Sequence, residues 1–191
     1  MLEKWLDVFG DLLDDFVPKA YLVYEKSRES YLNDDLVTAN KLKRLNYLLH
    51  NSEVPYTAEI GKNPVFAYGG IGVIIHADAK IGQRCNFGSS VTVGGDRNGV
   101  PVIGNDVYLS TGAKVIGGVK IGDGAIIGAN SVVLTNVEPF SVVAGAPSKL
   151  ISEVNIDNFE KYSGFYWCKG DDEKIKRFKE WYFIKKKFRM P

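Results

Sequence analysis

Two histidines, His50 and His76, are the only imidazoles among the 191 residues, and there are two cysteines. Imidazole is the default side chain for moving a proton near neutral pH. Two imidazoles leave no room for a three-His metal site. His76 follows Ile75 at a place where the surrounding pattern otherwise sets glycine, so it is expected at a corner, pointing off the scaffold. Two readings stand for it, a general base and an exposed corner residue. Asp78 and Glu59 are the nearest carboxylates in sequence that could orient its ring. His50 ends a helical pattern, where an imidazole can meet the last carbonyls, and its expected role is structural. Asp96 and Arg97 lie in a glycine-flanked stretch, Gly94-Gly95-Asp96-Arg97-Asn98-Gly99. An arginine fork suits a carboxylate ligand, and a solvated loop pair is the other reading.

The elements that must hold these residues differ along the chain. Of 20 glycines, 17 lie between Gly61 and Gly145. Residues 1–60 carry 7 basic and 11 acidic groups, 61–145 carry 6 and 5, and 146–191 carry 11 and 7. The whole balances at 24 Lys plus Arg against 23 Asp plus Glu, which excludes a nucleic-acid binder defined by net charge. With 45% hydrophobic residues the chain can bury a core. Two cysteines build no disulfide framework and suit a reducing compartment. No run of about 18 apolar residues exists, so no membrane-spanning helix is expected. Asp7, Asp11, Asp14 and Asp15 break any signal-peptide core. The expectation is a cytoplasmic protein.

Residues 1–56 read as helical. Leu2, Trp5, Leu6, Phe9, Leu12, Leu13 and Phe16 recur at three- and four-residue spacing up to Pro18. A second helix through Tyr21, Val23 and Tyr24 should end near Asn33-Asp34, which would cap a third carrying Leu36 to Leu49.

Residues 57–151 are a repeat. Ile75, Ile81, Phe87 and Val93 stand six apart, and after a ten-residue step Ile103, Leu109, Val115, Ile121, Ile127 and Val133 do so again. Four residues after each aliphatic sits a small or β-branched side chain, among them Ala79, Cys85, Ala113 and Ser131. Such a unit makes one short strand and one corner, and three units close a triangular coil with the large residue inside. Coils stack through strand hydrogen bonds roughly 4.8 Å apart. The fold class is therefore mainly β, a parallel β-helix of a little over three coils, with irregular coils before Ile75. The four extra residues after Val93 form a loop ejected from this prism, as a functional loop on a rigid scaffold would be.

The register, the loop after Ser89-Ser90-Val91-Thr92-Val93-Gly94-Gly95, and the closing Val142-Val143-Ala144-Gly145-Ala146-Pro147-Ser148-Lys149 together resemble the hexapeptide-repeat acyltransferases, in particular the serine acetyltransferase-like branch. The resemblance implies a left-handed β-helix, a homotrimer, and acetyl-CoA in the groove between neighbouring prisms. It also implies direct attack of an acceptor hydroxyl on the thioester, with a histidine as base and no metal. Placed by the same resemblance, Gly94, Gly95, Ser110, Gly112, Ala113, Gly128, Ala129 and Lys149 would meet the cofactor, and Asp96 and Arg97 the acceptor. The stretch that carries that branch's catalytic histidine reads Ala67-Tyr68-Gly69-Gly70-Ile71 here, without His or Asp. Either His76 supplies the base from the next corner, or Tyr68 holds the role. This departure favours a sugar acceptor, as in bacterial surface-polysaccharide assembly, over serine. A γ-carbonic-anhydrase-like metal protein lacks its third histidine, and a non-catalytic β-helix scaffold remains as an alternative.

Residues 152–191 form an aromatic and basic tail expected to be helical. Lys174, Lys176, Arg177, Lys179, Lys185, Lys186, Lys187 and Arg189 alternate with Phe178, Trp181, Tyr182, Phe183 and Ile184. It either packs its rings on its own protein or contacts an anionic membrane surface peripherally.

Overall fold

The computed structural model of the chain describes Glu3 and residues 17–185. The amphipathic pattern from Leu2 to Phe16 and the basic residues Lys186, Lys187 and Arg189 lie outside the described residues.

Among the residues from 17 on, two packed helices precede the strands, α1 (Ala20–Leu32) and α2 (Leu36–His50). The cap of α2 is Asp35, whose carboxylate accepts from the Thr38 N–H at 2.9 Å, rather than the preceding Asn33-Asp34 pair. Asp34 instead takes a left-handed turn between the helices. α2 stops where Asn51 turns left-handed. Tyr24 fixes α1 to the first coil by donating to the Ala58 carbonyl at 2.7 Å.

Fourteen short strands follow among the described residues, and β1 to β12 form a left-handed parallel β-helix whose three faces each collect every third strand. Face one stacks β1 (Glu59–Ile60), β4 (Lys80–Ile81), β7 (Val102–Ile103) and β10 (Lys120–Ile121). Face three stacks β3 (Ile74–Ile75), β6 (Thr92–Gly94), β9 (Lys114–Ile116) and β12 (Val132–Val133). Face two stacks β2 (Val65–Phe66), β5 (Asn86–Phe87), β8 (Tyr108–Leu109), β11 (Ile126–Ile127) and β13 (Ser141–Gly145), and closes with antiparallel β14 (Ser148–Glu153). The register pairs each repeat with the one three units on, as in Ile81 with Ile103 and Phe87 with Leu109. Ile75, Phe87, Val93, Leu109, Val115, Ile121 and Ile127 fill the interior at no more than 1% exposure. Four full coils result, the first running from Glu59 to Ile75 through an irregular turn at Ala67–Gly70.

The edge between faces one and two is sealed. Arg84 grips Asp106 with both fork nitrogens, Nε at 2.7 Å and Nη2 at 2.6 Å. The Tyr182 hydroxyl donates to the same carboxylate. Burial pushes the Asp106 carboxyl up, while the hydrogen bonds from Arg84 and Tyr182 pull it down. Tyr182 belongs to the tail, which folds into α3 (Phe159–Tyr162), α4 (Asp172–Lys179) and a following turn, Glu180–Ile184. Its Phe159, Tyr166, Phe178 and Tyr182 bury against Ile126 and Phe140 of the prism, and Tyr166 donates to the Gly124 carbonyl at 2.8 Å. These four rings thus pack on the tail's own protein, while Trp167 and Trp181 stay exposed. No helix among the described residues is long and apolar enough to cross a membrane.

Candidate active site

The sequence-expected residues separate onto the two remaining prism edges, and the order of the strands assigns each one. Between faces two and three lie Tyr68, Ser110, Gly112, Gly128 and Ala129, in the turns that leave β2, β8 and β11. The backbone forms a ladder along this edge: Gly72 donates to the His50 carbonyl, Ser90 to Ile71, Gly112 to Ser89 and Asn130 to Thr111. Side chains here are small for a packing reason. A Cβ on Gly112 would lie 2.1 Å from Asn130 Oδ1, and one on Gly88 would lie 2.3 Å from the Thr111 nitrogen. Lys149, exposed on β14, pairs with Ala144 above Gly128 at the far end. From Tyr68, after β2, to Lys149 on β14 is five strand spacings, or ~24 Å. Tyr68 stands 78% exposed with φ +52°, a conformation that costs a bulky side chain and holds the phenol out from the turn.

Ala113 does not belong on that surface. It is fully buried because the fourth residue after Leu109 points into the prism, so only its backbone borders the edge.

Gly94 and Gly95 also fall elsewhere. Gly94 ends β6 and Gly95 follows it, on the edge between faces three and one, beside His76. A Cβ on Gly95 would touch His76 Cδ2 at 3.1 Å and Nε2 at 3.2 Å, so the glycine makes room for the imidazole. An open cleft of about 570 Å³ is lined there by His76, Gly94, Gly95, Tyr56, Lys43 and Glu53, among others. Lys43 reaches Glu53 at 2.5 Å from α2. No spacing rule in the sequence points to Lys43, because a helix residue meets this edge only through the packing of α2 on the first coil.

His76 Nδ1 accepts from the Asp78 N–H at 3.1 Å. In the neutral ring the proton then sits on Nε2, the nitrogen beside Gly95, and that nitrogen is a donor. The Asp78 carboxylate stays 3.8 Å from Nδ1, outside hydrogen-bond range. Asp96 is spent within its loop, accepting from the Asn98 N–H at 2.7 Å and Asn98 Nδ2 at 3.2 Å. Arg97 is exposed and pairs with no described residue. The loop lies against the next coil, where a Cβ on Gly118 would come 2.3 Å from the Asn98 carbonyl oxygen.

Neither thiol is suited to nucleophilic work. Burial pushes Cys85 up to about 12 and Cys168 up to about 11. Among the described residues no group of three or more His, Cys, Asp or Glu could hold a metal ion.

This architecture defines a class: the chain is a hexapeptide-repeat β-helix protein. The bacterial transferase hexapeptide (six repeats) family matches residues 101–135. Within that class the chain is similar to the serine acetyltransferase-like branch. A serine acetyltransferase of Staphylococcus aureus is 35% identical over 127 residues, which cover 64% of this chain and 59% of the relative. The soybean serine acetyltransferase apoenzyme superposes with a TM-score of 0.65 at 29% identity, covering 69% of this chain and 56% of that one. A serine acetyltransferase in complex with CoA gives 0.64 at 26% identity, covering 69% and 55%. The chain thus spans less than two thirds of the length of these relatives.

Proposed function

We propose that the protein is an acetyl-CoA-dependent O-acetyltransferase with free serine as its acceptor. Arg97, exposed and without a partner among the described residues on the loop fixed by the Asp96–Asn98 turn, is the observation that carries this reading. The similarity to serine acetyltransferases, one of them in complex with CoA, supports it. The edge from Tyr68 to Lys149 would receive the elongated donor, with its phosphates at Lys149 and its thioester toward Tyr68. Small side chains let such a ligand lie close to the backbone. Arg97 would hold the acceptor carboxylate with its bidentate fork.

The two edges are separated on one chain by the length of a face-three strand and its flanking residues, ~13 Å for four residues. A reaction that uses both therefore calls for a neighbouring copy, and a homotrimer in which unlike edges face each other meets that need. The acceptor oxygen bonds to the thioester carbonyl carbon, the C–S bond breaks, and the hydroxyl proton passes through a base to the departing thiolate. His76 Nε2–H is placed to donate a hydrogen bond within the cleft.

A sugar acceptor is the second reading. Tyr68 stands in the stretch where the catalytic histidine of the serine-acetylating branch is expected, and Tyr56 gives the His76 cleft an aromatic wall. Thiol release from acetyl-CoA, measured against serine and a panel of amino and deoxy sugars, separates the two. Turnover with serine that is lost in Arg97→Ala supports the first reading. Turnover with sugars alone would replace it, and no turnover with any acceptor would leave a scaffold.

A further inference from the structure

The geometry points to His50, rather than His76, as the base that takes the acceptor proton, an assignment that rests on the acyl-transfer reading above. His50 is the last residue of α2 and only 7% exposed. Its Nε2 lies 2.8 Å from the Pro18 carbonyl oxygen. A carbonyl can only accept, so Nε2 carries the hydrogen and Nδ1 keeps its lone pair. Nδ1 has no partner among the described residues. A backbone acceptor on one ring nitrogen and an open lone pair on the other is the second-shell arrangement that makes an imidazole a base. His76 has the reverse arrangement, with its Nδ1 lone pair occupied by the Asp78 N–H.

The free nitrogen also faces the right place. It lies beneath the Tyr68-Gly69 turn, where the sequence has no histidine of its own. A Cβ on Gly69 would sit 3.5 Å from His50 Cε1 and 3.7 Å from Nδ1, and apart from the turn's own residues His50 is its only neighbour among the described residues within 4 Å. Glycine, at φ +76°, therefore leaves a window over the edge of the ring. The His50 carbonyl begins the ladder of the edge that runs past Ser110 and Gly128 to Lys149. Helix α2 thus delivers to this turn the imidazole that the turn lacks.

In the step, His50 Nδ1 takes the acceptor O–H proton as the oxygen bonds to the acetyl carbonyl carbon. The resulting imidazolium returns that proton to the sulfur as the C–S bond breaks, giving CoA thiol and neutral imidazole. His50→Gln tests this, because the amide can still donate to Pro18 while offering no base. The expected result is an unchanged melting temperature and acetyl-CoA affinity, with kcat down at least about 100-fold. A folded variant with kcat within threefold of wild type overturns the assignment. In the wild type, histidine modification by diethyl pyrocarbonate is mapped by mass spectrometry alongside residual activity. Inactivation that follows His50 and is slowed by the acceptor supports the assignment, and inactivation that follows His76 overturns it. Wild type that turns over no acceptor overturns the acyl-transfer reading and this assignment together.

Discussion

Two edges of the prism share a backbone and differ in everything attached to it. Left-handed corners recur on both, at Arg84, Asp106, Gly124 and Phe140 on one and at Gly72, Ser90, Gly112 and Asn130 on the other. On the first, a charged pair and aromatic rings draw in the C-terminal tail and close the surface. On the second, small residues leave a bare strip ending in an exposed lysine. The repeat sets the geometry of a corner, and the side chain placed there decides whether the corner is structural or open to a ligand.

Breaking the sealed edge should have the largest effect. Arg84→Ala strands the buried Asp106 carboxylate, and removing one partner of such a pair costs about 3–5 kcal/mol. Burial already raises Asp106, and without the arginine it is raised further. A carboxyl raised in the folded state stabilises the protonated fold, so that contribution is present at acid pH and lost as pH rises through the folded value. Thermal melts should show the variant weakest near neutrality and recovering toward acid pH. Equal destabilisation at every pH would sink the account.

Tyr182→Phe is milder. It removes one hydrogen bond to a charged acceptor, about 1.5–3 kcal/mol, and should lower Tm by about 4–9 °C while making the tail easier to cleave with protease.

The open edge should behave oppositely. Ala129→Phe projects into solvent, so its Tm should match wild type within about 2 °C, within the range of ordinary surface substitutions. A ring across the strip should raise KM for acetyl-CoA about tenfold, equivalent to about 1.4 kcal/mol. A normal KM would mean that the donor lies elsewhere. Smallest of all, Lys149→Ala should weaken acetyl-CoA binding by no more than about fivefold, as an exposed ion pair does, with the difference shrinking as salt is added.

Six-residue spacing was enough to read the prism, since only an inward aliphatic at every sixth position satisfies a three-sided coil. Ile75, Phe87, Leu109 and Ile127 are all interior, and the loop carrying Arg97 leaves the coil where the register skips. The same rule applied to Ala113 would have excluded its side chain from the cofactor surface. The tail's helical character was legible too, but not which surface its rings would cover.

Spacing along the chain says which corner a residue occupies, because each strand is local and its register regular. It does not say what crosses the corner from elsewhere. Tyr182 meeting Asp106, Lys43 closing the His76 cleft and His50 lying under Gly69 bridge sequence separations of 76, 33 and 19 residues. Each depends on how a helix packs against the prism, and that packing is set by buried area and shape over many residues rather than by any motif. The ring tautomers of the two histidines belong with these, since the backbone groups that fix them, the Pro18 carbonyl and the Asp78 N–H, take their positions only in the folded chain.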